Sequence, residues 1–169
     1  PFHEAIREPF DYYEWGNEFM RPLIDMSKSR MVGKENIEAV DKLTSQGDNV
    51  IILANHQTEV DPQAISILLQ EEGMEELAEK MIFIAGHKVT SDPVAIPFSM
   101  GRNLICIHSK KHIKNPPEDF PRKQQQNMDS MKSMGDLINA GGNIIWLAPS
   151  GGRDRPDESG RFVAAPFDY

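Results

Sequence analysis

The stretch Val50-Ile51-Ile52-Leu53-Ala54-Asn55-His56-Gln57-Thr58-Glu59-Val60-Asp61-Pro62 decides how this chain folds. Its aliphatic run predicts a buried strand over residues 50–55. Asp61-Pro62 then opens a helix, because Asp is a favoured N-cap and proline fits the first helical turn. A histidine therefore stands at the carboxyl end of a strand, five residues before a carboxylate at a helix start. In α/β sheets that edge is where ligands bind. A histidine backed by an aspartate is also the minimum for a general base: the imidazole takes a proton, and the carboxylate fixes its tautomer and steadies the imidazolium. The plainer reading is a surface histidine in a strand-to-helix loop, with Asp61 only a helix cap.

The same alternation extends along the chain. Residues 1–30 read as an amino-terminal helical segment with Phe2, Ile6, Phe10, Tyr13 and Phe19 inward, broken by Pro9, Gly16 and Pro22. A helix is predicted from Lys34 to Ser45, with Ile37, Val40 and Leu43 on one face and Gly47 as its stop. The helix after Pro62 carries Ile65, Leu68 and Leu69 and ends near Gly73. Residues 81–85, 103–108 and 143–148 form further apolar strands, and a long polar helix over 122–139 is expected to turn Met128, Met131, Met134, Leu137 and Ile138 inward. Strands alternating with helices predict an α/β fold with a central, largely parallel or mixed sheet.

In a parallel sheet the ends of the third and fourth strands share an edge with His56. Ser109-Lys110-Lys111-His112 follows the third, and Pro149-Ser150-Gly151-Gly152-Arg153-Asp154-Arg155-Pro156 follows the fourth. Paired glycines let backbone approach a ligand, and arginines offer forked donors to phosphate oxygens. Each loop also has an ordinary reading: Lys110-Lys111 as a solvated loop, Arg153-Asp154-Arg155 as a local ion pair. Two cationic loops beside a His–Asp pair, in a chain of net charge −8, favour a small-anion site.

That acidic balance argues against general nucleic-acid binding. Cys106 lies in an apolar run and reads as a small core residue; a lone cysteine permits no internal disulfide and fits a reducing compartment. No apolar stretch approaches the ~20 residues of a transmembrane helix. His56, Asp61, His87 and His112 could be imagined around a metal, but no two of these histidines have the i, i+4 spacing, and nearby Lys and Arg oppose a cation, so no metal is expected.

Asn55-His56-Gln57-Thr58-Glu59-Val60-Asp61-Pro62 closely resembles the His-x4-Asp motif of glycerolipid acyltransferases, the soluble plastid-type glycerol-3-phosphate acyltransferases above all. The blocks Lys110-Lys111-His112 and 149–156 are similar to that family's acceptor-binding blocks and occur in family order. Residues 92–101 also look like a family segment, near where the acyl chain would lie. The resemblance implies acyl transfer from an acyl-carrier protein or coenzyme A thioester to the sn-1 hydroxyl of glycerol 3-phosphate, giving lysophosphatidic acid, without a further cofactor. It implies His56 as base, Asp61 as its orienter, and Lys111, His112, Arg153 and Arg155 as phosphate ligands. It also implies a plastid stroma, or else a bacterial cytoplasm, with no transmembrane segment and peripheral membrane contact left open. On this reading residues 31–169 are a partial catalytic domain, cut short at the carboxyl terminus. A domain that grips a phosphate ligand or acyl carrier without turnover stays open as the alternative.

Overall fold

A computed structural model describes residues 2–110 and 112–164. The elements run β1 (Phe2–His3), α1 (Tyr12–Met20), α2 (Lys34–Ser45), β2 (Val50–Leu53), α3 (Asp61–Glu71), α4 (Glu75–Lys80), β3 (Ile82–Gly86), α5 (Ile96–Met100), β4 (Asn103–Ile107), α6 (Phe120–Ala140), β5 (Ile144–Leu147), β6 (Arg155–Pro156) and β7 (Phe162–Val163). Five strands form one mixed sheet in the order β1-β4-β3-β5-β2, and β6 and β7 make a separate small hairpin. β4, β3, β5 and β2 are parallel, and β1 lies antiparallel against β4. The α/β expectation holds. The helical reading of residues 1–30 needs correction at its start, since Phe2 and His3 pair with Ile105 and Leu104 as a strand. Phe10 and Phe19, expected inward, are exposed, whereas Tyr13 is buried.

Period-two alternation splits the apolar strand residues between two faces. Phe83, Leu104, Ile144 and Trp146 pack on Leu69, Leu77, Ala78 and Met81 from α3, α4 and the turn after them, with Ile37 and Val40 of α2 leaning on the same cluster. Ile82, Ile105 and Ile145 face the other way, onto Met134 and Leu137 of α6. β2 departs from the buried-strand expectation. It lies at the sheet's edge, so Ile51 and Leu53 stay exposed while Ile52 meets the core.

α6 is also rotated from its expected face. Met128 and Met131 are 60% and 61% exposed. The inward stripe is instead Lys123, Asn127, Ser130, Met134 and Leu137, at helical spacing. Its polar half serves backbone at the strand ends: Ser130 Oγ donates to the Cys106 carbonyl at 2.7 Å, and Asn127 both accepts from the His108 N–H at 2.7 Å and donates to its carbonyl at 2.9 Å. Lys123 Nζ donates to the carbonyls of His112 and Asn115. Methionines there would leave those groups unpaired.

Arg102, 2% exposed, bolts α1 and α3 to the start of β4. It donates to Ser66 Oγ at 2.8 Å and to Asn17 Oδ1, and lies 4.4 Å over the Tyr13 ring. Burial lowers its pKa to about 10. Gly101, just before it, touches α1 so closely that an added Cβ would stand 2.5 Å from the Tyr12 carbonyl. Backbone cannot yield as a flexible side chain can. Gly101→Ala is therefore expected to destabilise the fold by about 2–3 kcal/mol, seen as a drop of roughly 5–10 °C in Tm. An unchanged Tm would show that this approach is not rigid.

Candidate active site

Past the last ladder residues, Ala54 still donates to the Leu147 carbonyl at 3.0 Å, so β2 leaves the sheet beside β5 and carries His56 just above the edge. His56 follows the parity of Ile52 and Ala54, which places its ring 6.4 Å from the Trp146 ring, edge to face. Its Nδ1 meets Asp61 Oδ2 at 2.7 Å, with the two side chains 25% and 13% exposed. A carboxylate oxygen accepts, so Nδ1 carries the proton in this pair and Nε2 holds the lone pair. Asp61 does not cap α3 as the sequence suggested. Its carboxylate reaches back to accept from the Gln57 N–H and the Thr58 N–H, both at 3.0 Å. Three donors thus converge on one carboxylate and set both the loop and the imidazole.

The loop after β5 is sewn to the His56 loop. Asp154, 3% exposed, accepts from Asn55 Nδ2 at 2.9 Å, and its own N–H donates to the His56 carbonyl at 2.7 Å. Arg153 Nε lies 3.0 Å from Glu59 Oε1. Among the described residues Arg153 therefore pairs with Glu59 of the other loop and not with its neighbour Asp154, which turns inward. Arg155 stands exposed at the start of the β6–β7 hairpin. His112 is exposed in the turn after β4, whose shape is fixed by its N–H bond to the Ser109 carbonyl at 2.9 Å and by Lys123. Lys111 lies outside the described residues. The structure thus brings His56, Asp61 and Arg153 together through adjacent loops and puts His112 farther along the same edge, after β4.

Cys106 packs against the core cluster, and burial raises its thiol pKa, which disfavours a nucleophilic thiolate. Among the described residues no group of three or more His, Cys, Asp and Glu side chains is arranged to hold a metal ion, and no helix is long and apolar enough to cross a membrane. Sequence reasoning missed Asp154 and Asn55 as the stitch between loops, and Gln126 and Asn127 as the support of His108. An aspartate flanked by arginines gives no hint that it faces inward. Only the polar positions at helical spacing in α6 could have pointed to the second group.

An acyltransferase family model matches residues 28–168. The chain is 48% identical over 167 residues to a chloroplastic glycerol-3-phosphate acyltransferase of Cucurbita moschata, a span of 98% of this chain and 36% of that protein. It is 47% identical over 171 residues to the chloroplastic glycerol-3-phosphate acyltransferase of Arabidopsis thaliana, 99% of this chain and 37% of that one. The corresponding protein of Spinacia oleracea is 45% identical over 170 residues, all of this chain and 36% of its own length. The chain spans a little over a third of the length of these curated relatives. With the family model running through β2, β5 and both loops that frame His56, the chain belongs to the acyltransferase family.

Proposed function

We propose that this chain takes part in acyl transfer from a thioester, on an acyl-carrier protein or coenzyme A, to the sn-1 hydroxyl of glycerol 3-phosphate, in a plastid. The observation that carries the reading is the 2.7 Å contact between His56 and Asp61, with Nε2 left as the base. The acceptor's hydroxyl donates its proton to Nε2 while its oxygen attacks the thioester carbonyl. The tetrahedral intermediate collapses, the C–S bond breaks, and the imidazolium returns the proton to the departing thiolate. The acceptor is itself the nucleophile, so neither an acyl-enzyme nor a cofactor beyond the thioester is required. Holding the hydroxyl against the imidazole supplies the remaining advantage.

The phosphate falls to Arg153, Arg155, His112 and Lys111. The ion pair with Glu59 holds the Arg153 guanidinium beside the His56 loop, where its forked N–H donors can serve the anion. Arg153→Ala is expected to weaken glycerol 3-phosphate binding roughly tenfold, read as a Kd by calorimetry; an unchanged Kd would remove Arg153 from the site. Activity itself is tested by offering the chain a long-chain acyl thioester with labelled glycerol 3-phosphate or labelled glycerol. Label passing into an acylated product only from the phosphate ester supports the reading. Tight binding of glycerol 3-phosphate with no acylated product would favour the non-catalytic binding domain.

A further inference from the structure

The strand order β4-β3-β5-β2 puts the end of β3 between the two cationic loops, because one follows β4 and the other β5. An anion held jointly by those loops lies above the end of β3, where the next residue is His87. Gly86 is in register with Ile107, so His87 and His108 emerge side by side. Their rings are stacked, with centroids 4.3 Å apart and planes 16° from parallel. Phe83 and Leu53 are in register with Trp146 and Leu147, so the register carried past the strand ends sets both His87 and His56 level with Ser150. Two strand spacings, roughly 10 Å, separate the His56 and His87 positions. A glycerol backbone ending in a phosphate covers a similar reach once a hydrogen bond is added at each end.

The hydrogen bonds assign both tautomers. Thr90 spends its hydroxyl proton on the His87 carbonyl at 2.8 Å, so its 3.4 Å contact with His87 Nδ1 is one in which the ring N–H donates. His87 Nε2 is then the bare nitrogen. His108 Nε2 lies 2.7 Å from Gln126 Oε1, an oxygen that also accepts from Arg122 at 3.4 Å. A carbonyl oxygen only accepts, so His108 Nε2 donates and Nδ1 is bare. Each ring has one fixed N–H and one lone pair. Burial first, then His108, Arg122 and Lys123, lower the pKa of His87, which keeps it neutral near pH 7. Among the described residues the titratable and charged groups that bear on His87 are His108, just past β4, and Arg122 and Lys123 on α6, with Lys88 next along the chain; α5, packed against the turn His87–Thr90, contributes no titratable side chain. A dianion entering this cationic gap reverses the local balance and favours protonation of a bare imidazole nitrogen, which turns a lone pair into a donor.

We propose that the stacked His87–His108 pair is a further binding element for the acceptor's phosphate, taking up a proton as the phosphate ester enters between the loops that follow β4 and β5. This rests on the reading of that edge as the glycerol 3-phosphate site. Acceptor affinity then rises as pH falls from 8 towards 7, against the phosphate's own titration, which removes the dianion over the same range.

The test is calorimetric titration of the chain with glycerol 3-phosphate in two buffers of different ionisation enthalpy, which counts protons taken up on binding. The ligand's own contribution is common to all variants and cancels between them. His87→Gln is expected to bind roughly tenfold more weakly at pH 7, to lose proton uptake and to flatten the pH dependence, while keeping the parental Tm. His108→Phe, which preserves a stacking face but cannot be protonated, should reduce the uptake as well. Parental affinity and parental proton uptake in both variants, alongside an Arg153→Ala chain that binds weakly, would overturn the proposal and leave the acceptor site standing. No binding by the parent, or full binding by Arg153→Ala, would remove the acceptor site itself and the proposal with it.

Discussion

Replacing His56 with Ala is expected to lower kcat for acceptor-dependent acyl transfer by roughly 10³-fold, within the range for loss of a positioned general base. The size of the effect follows from the geometry. Nε2 is the one ring nitrogen not committed to Asp61, and it stands at the sheet edge where both cationic loops open. Without it the acceptor's hydroxyl must attack as the free alcohol, with water as the only proton acceptor. The loss is expected to fall on kcat, because the residues proposed to hold the phosphate lie in other loops. Comparing kcat and glycerol 3-phosphate Kd in the two chains checks this. A fall in affinity alone would show that His56 binds the acceptor and does not activate it.

Asp61→Asn is expected to lower kcat by roughly 10²-fold or more. The carboxylate accepts from three donors, His56 Nδ1 and the Gln57 N–H at Oδ2 and the Thr58 N–H at Oδ1. An amide has a single acceptor oxygen. If that oxygen stays with His56 and Gln57, the amide NH2 faces the Thr58 N–H and the turn is pushed open. If it turns to Thr58, the NH2 faces the imidazole and draws a lone pair onto Nδ1, so the proton moves to Nε2, where the base must be bare. Either way the reactive tautomer or its position is lost. The readout is kcat with Tm and acceptor Kd measured beside it. Full activity in Asp61→Asn would mean that the contact holds the loop without orienting the base.

Much of this arrangement was legible in the chain. Aliphatic runs bounded by loops marked β2 to β5, and Lys34 and Ser45 bound α2 as read from its apolar spacing and from Gly47, whose φ is 94°. The contact between His56 and Asp61 was legible because a strand end and a helix start confine both residues. What escaped depends on tertiary neighbours. That β2 is an edge strand follows from strand order, which no local pattern records. Phe2 and His3 form too short a strand to show a period. Met128 and Met131 read as buried because apolar residues usually are, but the strand ends under α6 present unpaired backbone groups, and Lys123, Asn127 and Ser130 took the inward positions to meet them. Asp154 was hidden for a similar reason: its partners, Asn55 and the His56 backbone, lie about a hundred residues away in sequence.

In the proposed mechanism the acceptor's hydroxyl, activated by His56, attacks the thioester directly. Thiol release from a long-chain acyl thioester, followed from the first turnover with and without glycerol 3-phosphate, tests it most directly. Direct attack requires no stoichiometric burst of thiol without the acceptor, release that starts when glycerol 3-phosphate is added, and its loss in His56→Ala. A burst in the absence of acceptor, or acceptor-dependent release that survives His56→Ala, would contradict it.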